Sequence, residues 1–274
     1  MTDETLSISE IFTSWQGEGS LTGTASVFVR VAGCHLRCVF CDTPYAWDVG
    51  GGEMWGVSAL AEEISRRAEN PCFPEVASDF PPIPQPVPRI SHVVITGGEP
   101  MLFPAVVPLC EMLKSQGLHI TVETSASRFL PAACDLWSLS PKLANSVKFS
   151  SCGGVPDHPG LTATPPQEGN TTPSAAPPPL HRRGISAEIL ENFTRGGAYQ
   201  LKFVVDAPAD ISEILAFLER FPFLRRESVF LMPQGITREE IFQKEPWLRE
   251  LAEKYGFQLS PRAHLFWFRE TRGV

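Results

Sequence analysis

The sequence predicts an α/β fold with a parallel sheet, and three observations indicate it. Apolar, β-branched segments of strand length alternate with longer segments whose apolar residues recur at helical spacing. The distinctive motifs follow the ends of those strands. The chain has 274 residues, 43% of them hydrophobic and 20% charged, so it can form one large core. We therefore expect a single domain over residues 1–274, with right-handed crossovers between strands.

The predicted strands are short apolar segments that end at glycine, proline or polar residues. The first is apolar at nearly every position, which is typical of a buried strand, and Gly97-Gly98 ends the second. Strands are expected at residues 25–31, 91–96, 118–123, 136–139, 146–149, 200–205 and 228–232, with a last one from Phe257.

The predicted helices have apolar residues three or four positions apart. In the first helix Leu60, Ile64 and Ala68 share one face, and Ser58 is the expected N-cap. Gly117 is placed to cap the C-terminus of the second. Helices are expected at residues 58–70, 104–116, 210–220 and 238–255.

Two proline-rich segments interrupt this alternation, at residues 71–90 and 152–184. Seven of the 26 prolines fall in the first segment and eight in the second. The second has no Phe, Trp or Tyr, so it cannot bury enough apolar surface to offset the entropy of ordering. We expect it to be a disordered surface insertion. The first is expected to be a shorter insertion, with Phe73 and Phe80 docked on the domain.

The charge and composition exclude several classes of protein. The net charge is −8, whereas nucleic-acid-binding surfaces are normally basic. No apolar run reaches the ~18 residues of a membrane span, and the N-terminus is acidic and polar, unlike a signal peptide. We therefore expect no nucleic-acid or membrane partner, and a cytoplasmic location in which scattered cysteines stay reduced.

The polar and glycine-rich motifs follow successive predicted strands. The carboxyl ends of parallel strands lie at one edge of a sheet, which is where such folds bind ligands. A single site at this edge is therefore expected to gather a cysteine-rich segment, Gly97-Gly98-Glu99-Pro100, Glu123-Thr124-Ser125, Ser140-Pro141-Lys142 and Pro233-Gln234.

Three of the seven cysteines, Cys34, Cys38 and Cys41, have the spacing C-x3-C-x2-C. A structural zinc site takes four protein ligands, and an ordinary four-iron cluster takes four thiolates. Three thiolates can hold a cubane cluster and leave one iron open to a small molecule. The alternative is zinc with His35 as the fourth ligand, although adjacent ligands suit one tetrahedral ion poorly.

This spacing resembles that of the radical S-adenosylmethionine (SAM) enzymes. The resemblance implies a [4Fe-4S] cluster whose open iron chelates the amino and carboxylate groups of SAM and cleaves it to a hydrogen-abstracting radical. It also implies an incomplete (β/α)6 partial barrel, and the two proline-rich insertions predicted from composition lie outside the resemblance. The SAM-binding residues that it implies are Phe40, Cys41, Asp42, Gly98, Glu99, Ser125, Ser140, Pro141, Lys142, Met232, Pro233, Gln234 and Gly235.

The segment before the first predicted strand narrows the family. Gln16 and Glu18 flank Gly17, and an amide with a carboxylate can read the donor and acceptor edge of a purine or pterin. The alternative is a polar loop with glycine turns. With residues 28–34 and 41–44, this segment resembles the 7-carboxy-7-deazaguanine synthases. These enzymes convert 6-carboxy-5,6,7,8-tetrahydropterin to 7-carboxy-7-deazaguanine and ammonia, on the way to queuosine and other 7-deazapurines.

The same resemblance implies a pterin site and a magnesium site. Arg30 suits the substrate carboxylate by bidentate pairing, with a surface salt bridge as the alternative. Thr43 would contact Mg2+, with waters and substrate oxygens as the remaining ligands. His264 is either a pterin contact or a buried structural histidine. The substrate contacts implied are Trp15, Gln16, Gly17, Glu18, Arg30, Thr96, His264 and, through a terminal carboxylate, Val274.

The resemblance further implies a homodimer and a flavodoxin or ferredoxin as the electron donor. The nearest alternative function is a radical SAM activase that makes a glycyl radical on a partner protein. A non-enzymatic zinc or iron–sulfur module is another, and a tRNA-binding radical enzyme is disfavoured by the acidic charge. The chain departs from the family at Ala126, where many relatives have glycine, and in the length of both insertions.

Overall fold

The computed structural model describes residues 4–76, 85–147 and 185–268. Within these ranges one nine-stranded sheet has the order β3-β1-β2-β4-β5-β6-β7-β8-β9. The strands are β1 (Thr5–Trp15), β2 (Ala25–Val31), β3 (Glu53–Gly56), β4 (His92–Gly97), β5 (His119–Thr124), β6 (Leu136–Leu139), β7 (Ala198–Val205), β8 (Val229–Pro233) and β9 (Gln258–Leu259). The helices are α1 (Val57–Glu69), α2 (Val106–Ser115), α3 (Ala187–Thr194), α4 (Ile211–Arg220), α5 (Arg238–Tyr255) and α6 (His264–Trp267).

Every neighbouring pair from β2 to β9 is parallel, which confirms the predicted α/β fold. The two strands at the other edge differ, because β1 runs antiparallel to both β2 and β3. The connection from Trp15 to Ala25 is short, and a short connection permits an antiparallel return but no crossover helix. The expectation of a purely parallel sheet is therefore wrong at this edge.

Strand β1 was not predicted, because its alternation changes phase halfway along. Leu6 and Ile8 face the apolar core, whereas Phe12 and Ser14 face the opposite side of the sheet. The register with β2 shifts between Ile8 and Glu10, as at a β-bulge, and a bulge re-aims the side chains that follow it. The residues up to Trp15 are thus part of a strand that was not predicted, and Gln16 and Glu18 follow it in a loop.

Helix boundaries agree with the prediction to within two residues, with one error of capping. α1 begins at Val57 with Gly56 as N-cap, so the assignment of Ser58 as N-cap is wrong. Gly117, at φ 78°, ends α2 as predicted, and the N–H of Leu118 bonds the carbonyl of Leu113 in a Schellman pattern. α5 has the predicted bounds and a capping box between Thr237 and Glu240.

Two predictions near the second proline-rich segment need correction. The strand expected at residues 146–149 is wrong at its start, because Ser146 ends a 3-10 turn; residues 148 and 149 lie outside the described residues. α3 was not predicted, and it begins at the N-cap Ser186, whose hydroxyl accepts a hydrogen bond from Ile189. The whole of 152–184 lies outside the described residues, as do residues 77–84 of the first segment.

The apolar core lies between the helices and one face of the sheet. The helices contribute fully buried side chains to it, including Leu60 on α1, Leu109 on α2 and Ile214 on α4. The other face of the strands carries polar side chains near their carboxyl ends. These include Arg30 on β2, Thr96 on β4, Glu123 on β5 and Lys202 on β7. In the described part of the chain, no helix is both long and apolar enough to cross a bilayer.

Candidate active site

One cavity of about 1070 Å3 lies at the carboxyl ends of the parallel strands. It brings together most of the residues that the sequence singled out. Those that line it are Trp15, Gln16, Gly17, Glu18, Arg30, Cys34, Cys38, Phe40, Cys41, Asp42, Thr43, Thr96, Gly98, Glu99, Ser125, Ser140, Lys142, Met232, Gln234, Gly235 and His264. Pro141 and Pro233 are buried beside it without lining it, and Val274 lies outside the described residues.

The cysteine loop, residues 34–47, connects β2 to the cavity. Backbone hydrogen bonds close it at its base, from Gly33 N to Ala46 O at 2.8 Å and from Cys34 N to Trp47 O at 2.9 Å. Two sulfurs accept hydrogen bonds, Cys34 Sγ from Leu36 N at 3.5 Å and Cys41 Sγ from Trp47 Nε1 at 3.3 Å. Soft sulfur ligands with N–H donors around them fit an iron–sulfur cluster.

The zinc alternative finds no support in the geometry of these thiols. Within residues 4–76, 85–147 and 185–268, no three His, Cys, Asp or Glu side chains converge closely enough to hold one metal ion. Burial raises the pKa of Cys34 and of Cys38, and Lys142 partly opposes the rise at Cys38. A thiol in such surroundings becomes a thiolate when a metal centre takes the place of its proton.

The glycine turn, residues 97–100, packs directly beneath the cysteine loop. A Cβ on Gly98 would lie 2.0 Å from Gly33 O, and one on Gly97, whose φ is 123°, would lie 2.3 Å from Val31 O. Gly98 N donates to Val31 O and Glu99 N to Gly33 O, both at 2.9 Å. The sequence predicted that these glycines admit a ligand close to the backbone; here they admit a second stretch of backbone.

Glu99 fastens this turn to the end of β5. Its carboxylate is 1% exposed and accepts hydrogen bonds from Thr124 Oγ1 at 2.6 Å, Ser125 N at 2.8 Å, the Ser125 hydroxyl, and Met101 N at 3.1 Å. Ala126 follows at φ 59°, in the left-handed region that favours glycine. Alanine therefore stands in strained backbone at the position where many relatives have glycine.

Arg30 is paired, but not at the surface. Its Nε donates to Glu10 Oε1 at 2.5 Å, Tyr45 donates to the same oxygen at 2.8 Å, and the guanidinium lies 5.7 Å from the Phe12 ring centroid. The Arg30 side chain is only 15% exposed. Burial opposes its charge, yet Tyr45 and Glu10 raise the pKa of Arg30 above its usual value.

A charged network also lines the cavity, and its five side chains are Glu18, Asp42, Glu123, Lys202 and Arg262. Lys202 Nζ contacts Glu18 Oε2 at 2.9 Å and Glu123 Oε1 at 3.0 Å. Arg262 Nη2 contacts Asp42 Oδ2 at 2.5 Å, and its Nε lies 3.3 Å from Glu18 Oε1. Because Asp42 is adjacent to Cys41, this network is connected directly to the cysteine loop.

The charged side chains of the network shift the pKa values of one another. Burial alone would raise the pKa of Glu18, but Lys202, Arg262 and His264 lower it far below the usual range. Burial would lower the pKa of Lys202, but Glu123 and Glu18 raise it. Glu18 and the Lys202 ammonium group are therefore both charged at neutral pH.

Two neutral side chains also bind the network. Thr96 Oγ1 donates to Glu123 Oε2 at 2.9 Å, and Gln16 Nε2 donates to Glu123 Oε1 at 3.3 Å. The Gln16 carbonyl oxygen accepts from Glu18 N at 3.1 Å. Gln16 and Glu18 thus face one site, as the sequence predicted, and that site also includes Glu123.

His264 packs against Gly17, which lies between Gln16 and Glu18. A Cβ on Gly17 would lie 2.3 Å from His264 Nδ1, and Ala263 N donates to Gly17 O at 2.9 Å. Burial, followed by the charge of Arg262, lowers the pKa of His264 to about 4. His264 is accordingly neutral at pH 7, and it lines the cavity.

Trp15 lines the cavity and also contacts the first proline-rich segment. Its ring stacks on Phe73 with centroids 4.3 Å apart, and Thr13 Oγ1 donates to Cys72 O. Phe73 docks as predicted, whereas Phe80 lies outside the described residues. Trp15 Nε1 and Ser14 Oγ are buried without a hydrogen-bond partner among the described residues, and both residues line the cavity.

Sequence reasoning did not single out Lys202 and Arg262, and it mentioned Glu123 only as part of a strand-end motif. A signal was present for Lys202, which interrupts the apolar run of β7 as Arg30 interrupts β2. A charged residue inside a buried strand needs a partner or a ligand. Arg262 begins the C-terminal segment, residues 262–274, that resembles the family ending, but the resemblance gave Arg262 itself no role.

The cavity residues fit the groups that the motifs imply. The volume lies at the upper end of the range for small-molecule sites, enough for SAM and a bicyclic pterin side by side. Thiolates and fixed charges of both signs line the cavity. A parallel sheet with a three-cysteine loop and a glycine turn at its strand ends defines the class of radical SAM enzymes.

Known proteins identify the family within this class. No protein-family model matches the chain. The chain is 35% identical over 274 residues to 7-carboxy-7-deazaguanine synthase of Rhodopirellula baltica, covering 99% of this chain and 90% of that protein. It is 34% identical over 266 residues to the enzyme of the same name from Halobacterium salinarum, covering 95% and 89%. The chain belongs to the 7-carboxy-7-deazaguanine synthase family.

A solved structure supports the fold independently. The crystal structure of QueE from Escherichia coli matches with a TM-score of 0.60 over 93% of each chain, at 20% sequence identity. The family consists of radical SAM lyases that use a [4Fe-4S] cluster, SAM and Mg2+. These relatives do not favour the alternative of a glycyl radical activase.

Proposed function

We propose that this chain converts 6-carboxy-5,6,7,8-tetrahydropterin to 7-carboxy-7-deazaguanine and ammonia. The observation that carries the proposal is that the cysteine loop and the charged network line the same cavity and are joined through Asp42 and Arg262. The substrate has the atoms of the two products together, so no net oxidant is needed. A polar bicyclic substrate with a carboxylate suits a buried site that carries both signs of charge.

The cofactor half of the proposed site is the cysteine loop with the glycine turn. We propose that Cys34, Cys38 and Cys41 hold the cluster and that Ser140, Lys142 and the segment 232–235 contact SAM. When bound, these groups supply hydrogen-atom abstraction. Glu99, whose carboxylate is occupied by protein donors, shapes the turn around the cofactor. Thr43, whose Oγ1 is 3.7 Å from Cys41 Sγ, is the proposed protein ligand of Mg2+.

The substrate half of the proposed site recognises the pterin. Arg30 is held by Glu10 through Nε, so the remaining side of its guanidinium can pair with the substrate carboxylate. Glu18 and Glu123 are carboxylate acceptors for the ring N–H groups, and Trp15 and neutral His264 enclose the ring. Positioning in a closed pocket is the contribution of the protein, because orientation lowers the barrier without further chemistry.

Several broader features belong to the same proposal. Residues after β9 bond to the loop after β1, through Gly19 N to Ser260 Oγ at 2.9 Å, which supports a sheet curved into a partial barrel. We propose that the two proline-rich segments are insertions into a single domain. A homodimer, a flavodoxin or ferredoxin donor, and a cytoplasmic location, where thiols stay reduced, complete the proposal.

The direct test is turnover by the cluster-loaded enzyme under anaerobic conditions. With carboxytetrahydropterin, SAM and a reductant, we expect an ultraviolet-absorbing deazaguanine and one ammonia for each substrate consumed. Cys38→Ser should abolish the product. Cys72→Ser, which removes an exposed thiol outside the cysteine loop, should leave turnover unchanged. Failure of the wild-type enzyme to form the product would contradict the proposed function.

A further inference from the structure

Lys202 is more enclosed than the two carboxylates that it contacts in the cavity. Its side chain is 4% exposed, whereas those of Glu18 and Glu123 are 15% and 21% exposed. The ammonium group therefore lies behind the two carboxylates, which are more open to the cavity. Lys202 lines the cavity, but its ammonium group is already paired with both acids.

The strand register explains this placement. Lys202 is on β7 and Glu123 is on β5, and β6 between them carries Ser138 opposite Glu123. Ser138 is small and binds Gln200 Nε2 at 2.9 Å, so a long lysine side chain can cross in front of β6. Glu18 reaches the same ammonium group from the loop after β1, 184 residues away in the chain.

We propose that Lys202 is a positioning residue for substrate recognition: it ties Glu18 to Glu123 and holds both carboxylates where they receive the N–H donors of the pterin ring. This inference rests on the proposed function and deepens it. The oxygens of Glu123 are also oriented by Thr96 and Gln16, which leaves the carboxylate few other arrangements.

The physical reason is the cost of two acids in one buried site. Like charges at close range cannot both stay ionised without a cation between them, so one of them takes up a proton. A protonated acid loses acceptor capacity, whereas the pterin edge offers mainly N–H donors. The other charged or titratable groups that face this site are Arg262, Asp42 and His264, and of these only Arg262 contacts Glu18.

The test compares Lys202→Met, of similar length but without charge, with the wild-type enzyme. We expect the KM and the equilibrium Kd for carboxytetrahydropterin to rise about 100-fold or more at pH 7, since a charged network anchor is lost. The Kd for SAM, measured from the change that SAM causes in the cluster spectrum, should change less than 3-fold. Lys114→Met, which removes an ion pair with Asp135 outside the cavity, is the matched control and should change neither.

The pH profile separates positioning from a merely structural role. Pterin affinity of the wild-type enzyme should be flat from pH 6 to pH 8.5, because the Lys202 ammonium group lies between the two acids. In Lys202→Met the affinity should increase as the pH rises, because the acid pair then loses its shared proton. If Lys202→Met folds poorly, the double variant Lys202→Met with Glu123→Gln removes the acid pair, and its weak affinity should again be flat with pH.

Three results would overturn the inference. One is pterin affinity in Lys202→Met within 3-fold of the wild-type value. Another is an equal loss of pterin and SAM affinity, and the third is a pH dependence that persists in the double variant. Wild-type enzyme that binds no carboxytetrahydropterin would overturn the inference and the proposed function together. Product formation by the wild type with unchanged binding in Lys202→Met would overturn the inference alone.

Discussion

The cysteine loop and the charged network line one cavity and meet at Asp42, yet they are constructed differently. The loop and the glycine turn beneath it are joined by backbone hydrogen bonds among segments that each carry a short contiguous motif. The network is made of side chains from separate segments, with Lys202 meeting Glu18 across 184 residues and Arg262 meeting Asp42 across 220. Backbone architecture depends on steric room, and the network depends on charge balance, so the two halves should fail in different ways.

The largest effect is expected from removing a charge of the network. Arg262→Met leaves buried Glu18 with Lys202 as its remaining cation, and breaking this buried pair costs about 3 kcal/mol of unfolding free energy, with little added by Asp42, whose side chain is 50% exposed. Urea denaturation measures it. Arg249→Met, which removes an exposed pair with Glu245 on α5, should change stability by less than about 0.5 kcal/mol. Equal losses of unfolding free energy in Arg262→Met and Arg249→Met would contradict the idea that the network depends on its buried charges.

A similar but sharper effect is expected in the glycine turn. Gly98→Ala places a methyl group against Gly33 O, and both neighbours are backbone, so the loop must shift at a cost of about 3 kcal/mol. Because the shift moves the cysteine loop, iron content per chain should fall with it. Gly50→Ala, where nothing lies within 4 Å of the added Cβ, should keep wild-type iron content and stability. Wild-type iron content in Gly98→Ala would contradict the steric account.

The smallest expected effect is a pH dependence that tests the charge balance. The folded pKa of His264 is about 4, below its unfolded value of 6.5, so the unfolded chain binds more protons between these values. Stability is therefore complete above pH 6.5 and is lost as the pH falls toward 4. From pH 7.5 to 5.5 this group should remove about 1.4 kcal/mol.

His92 provides the matched comparison, since burial, followed by the charge of His119, also lowers its pKa to about 4, at the opposite end of the sheet. His264→Gln and His92→Gln should each reduce the pH-dependent loss by a similar amount in urea denaturation. Arg262→Met should weaken only the His264 contribution, because Arg262 helps to keep that histidine neutral. A pH profile of His264→Gln identical to that of the wild type would count against this account.

The same difference explains how much the sequence could predict. Motifs of the cysteine loop and glycine turn are contiguous, so spacing alone placed Cys34, Gly98 and Glu99 at one edge of a predicted parallel sheet, where the structure has them. The fold class was predictable for the same reason, since alternation of strands and helices is a local pattern.

Features that depend on distant partners were not predictable. The phase change near Ile8 concealed β1, because a bulge breaks the alternation that identifies a strand. Lys202 has no local motif, and only the fold brings it and Arg262 to Glu18. Gly17 and Gly19 carry no sign in the sequence that His264 and Gln200 pack against them, although those contacts leave no room for a side chain.

The hydrogen bond between Gly19 and Ser260 spans 241 residues, and this separation has a consequence for synthesis on the ribosome. The segment with Gln16 and Glu18 emerges early, and its partners on β7 and after β9 do not exist until most of the chain has been made. Contacts of such long range also form slowly, because a large loop must close first. The nascent chain can assemble its cysteine loop long before its charged network, so the substrate half of the pocket is a late product of translation.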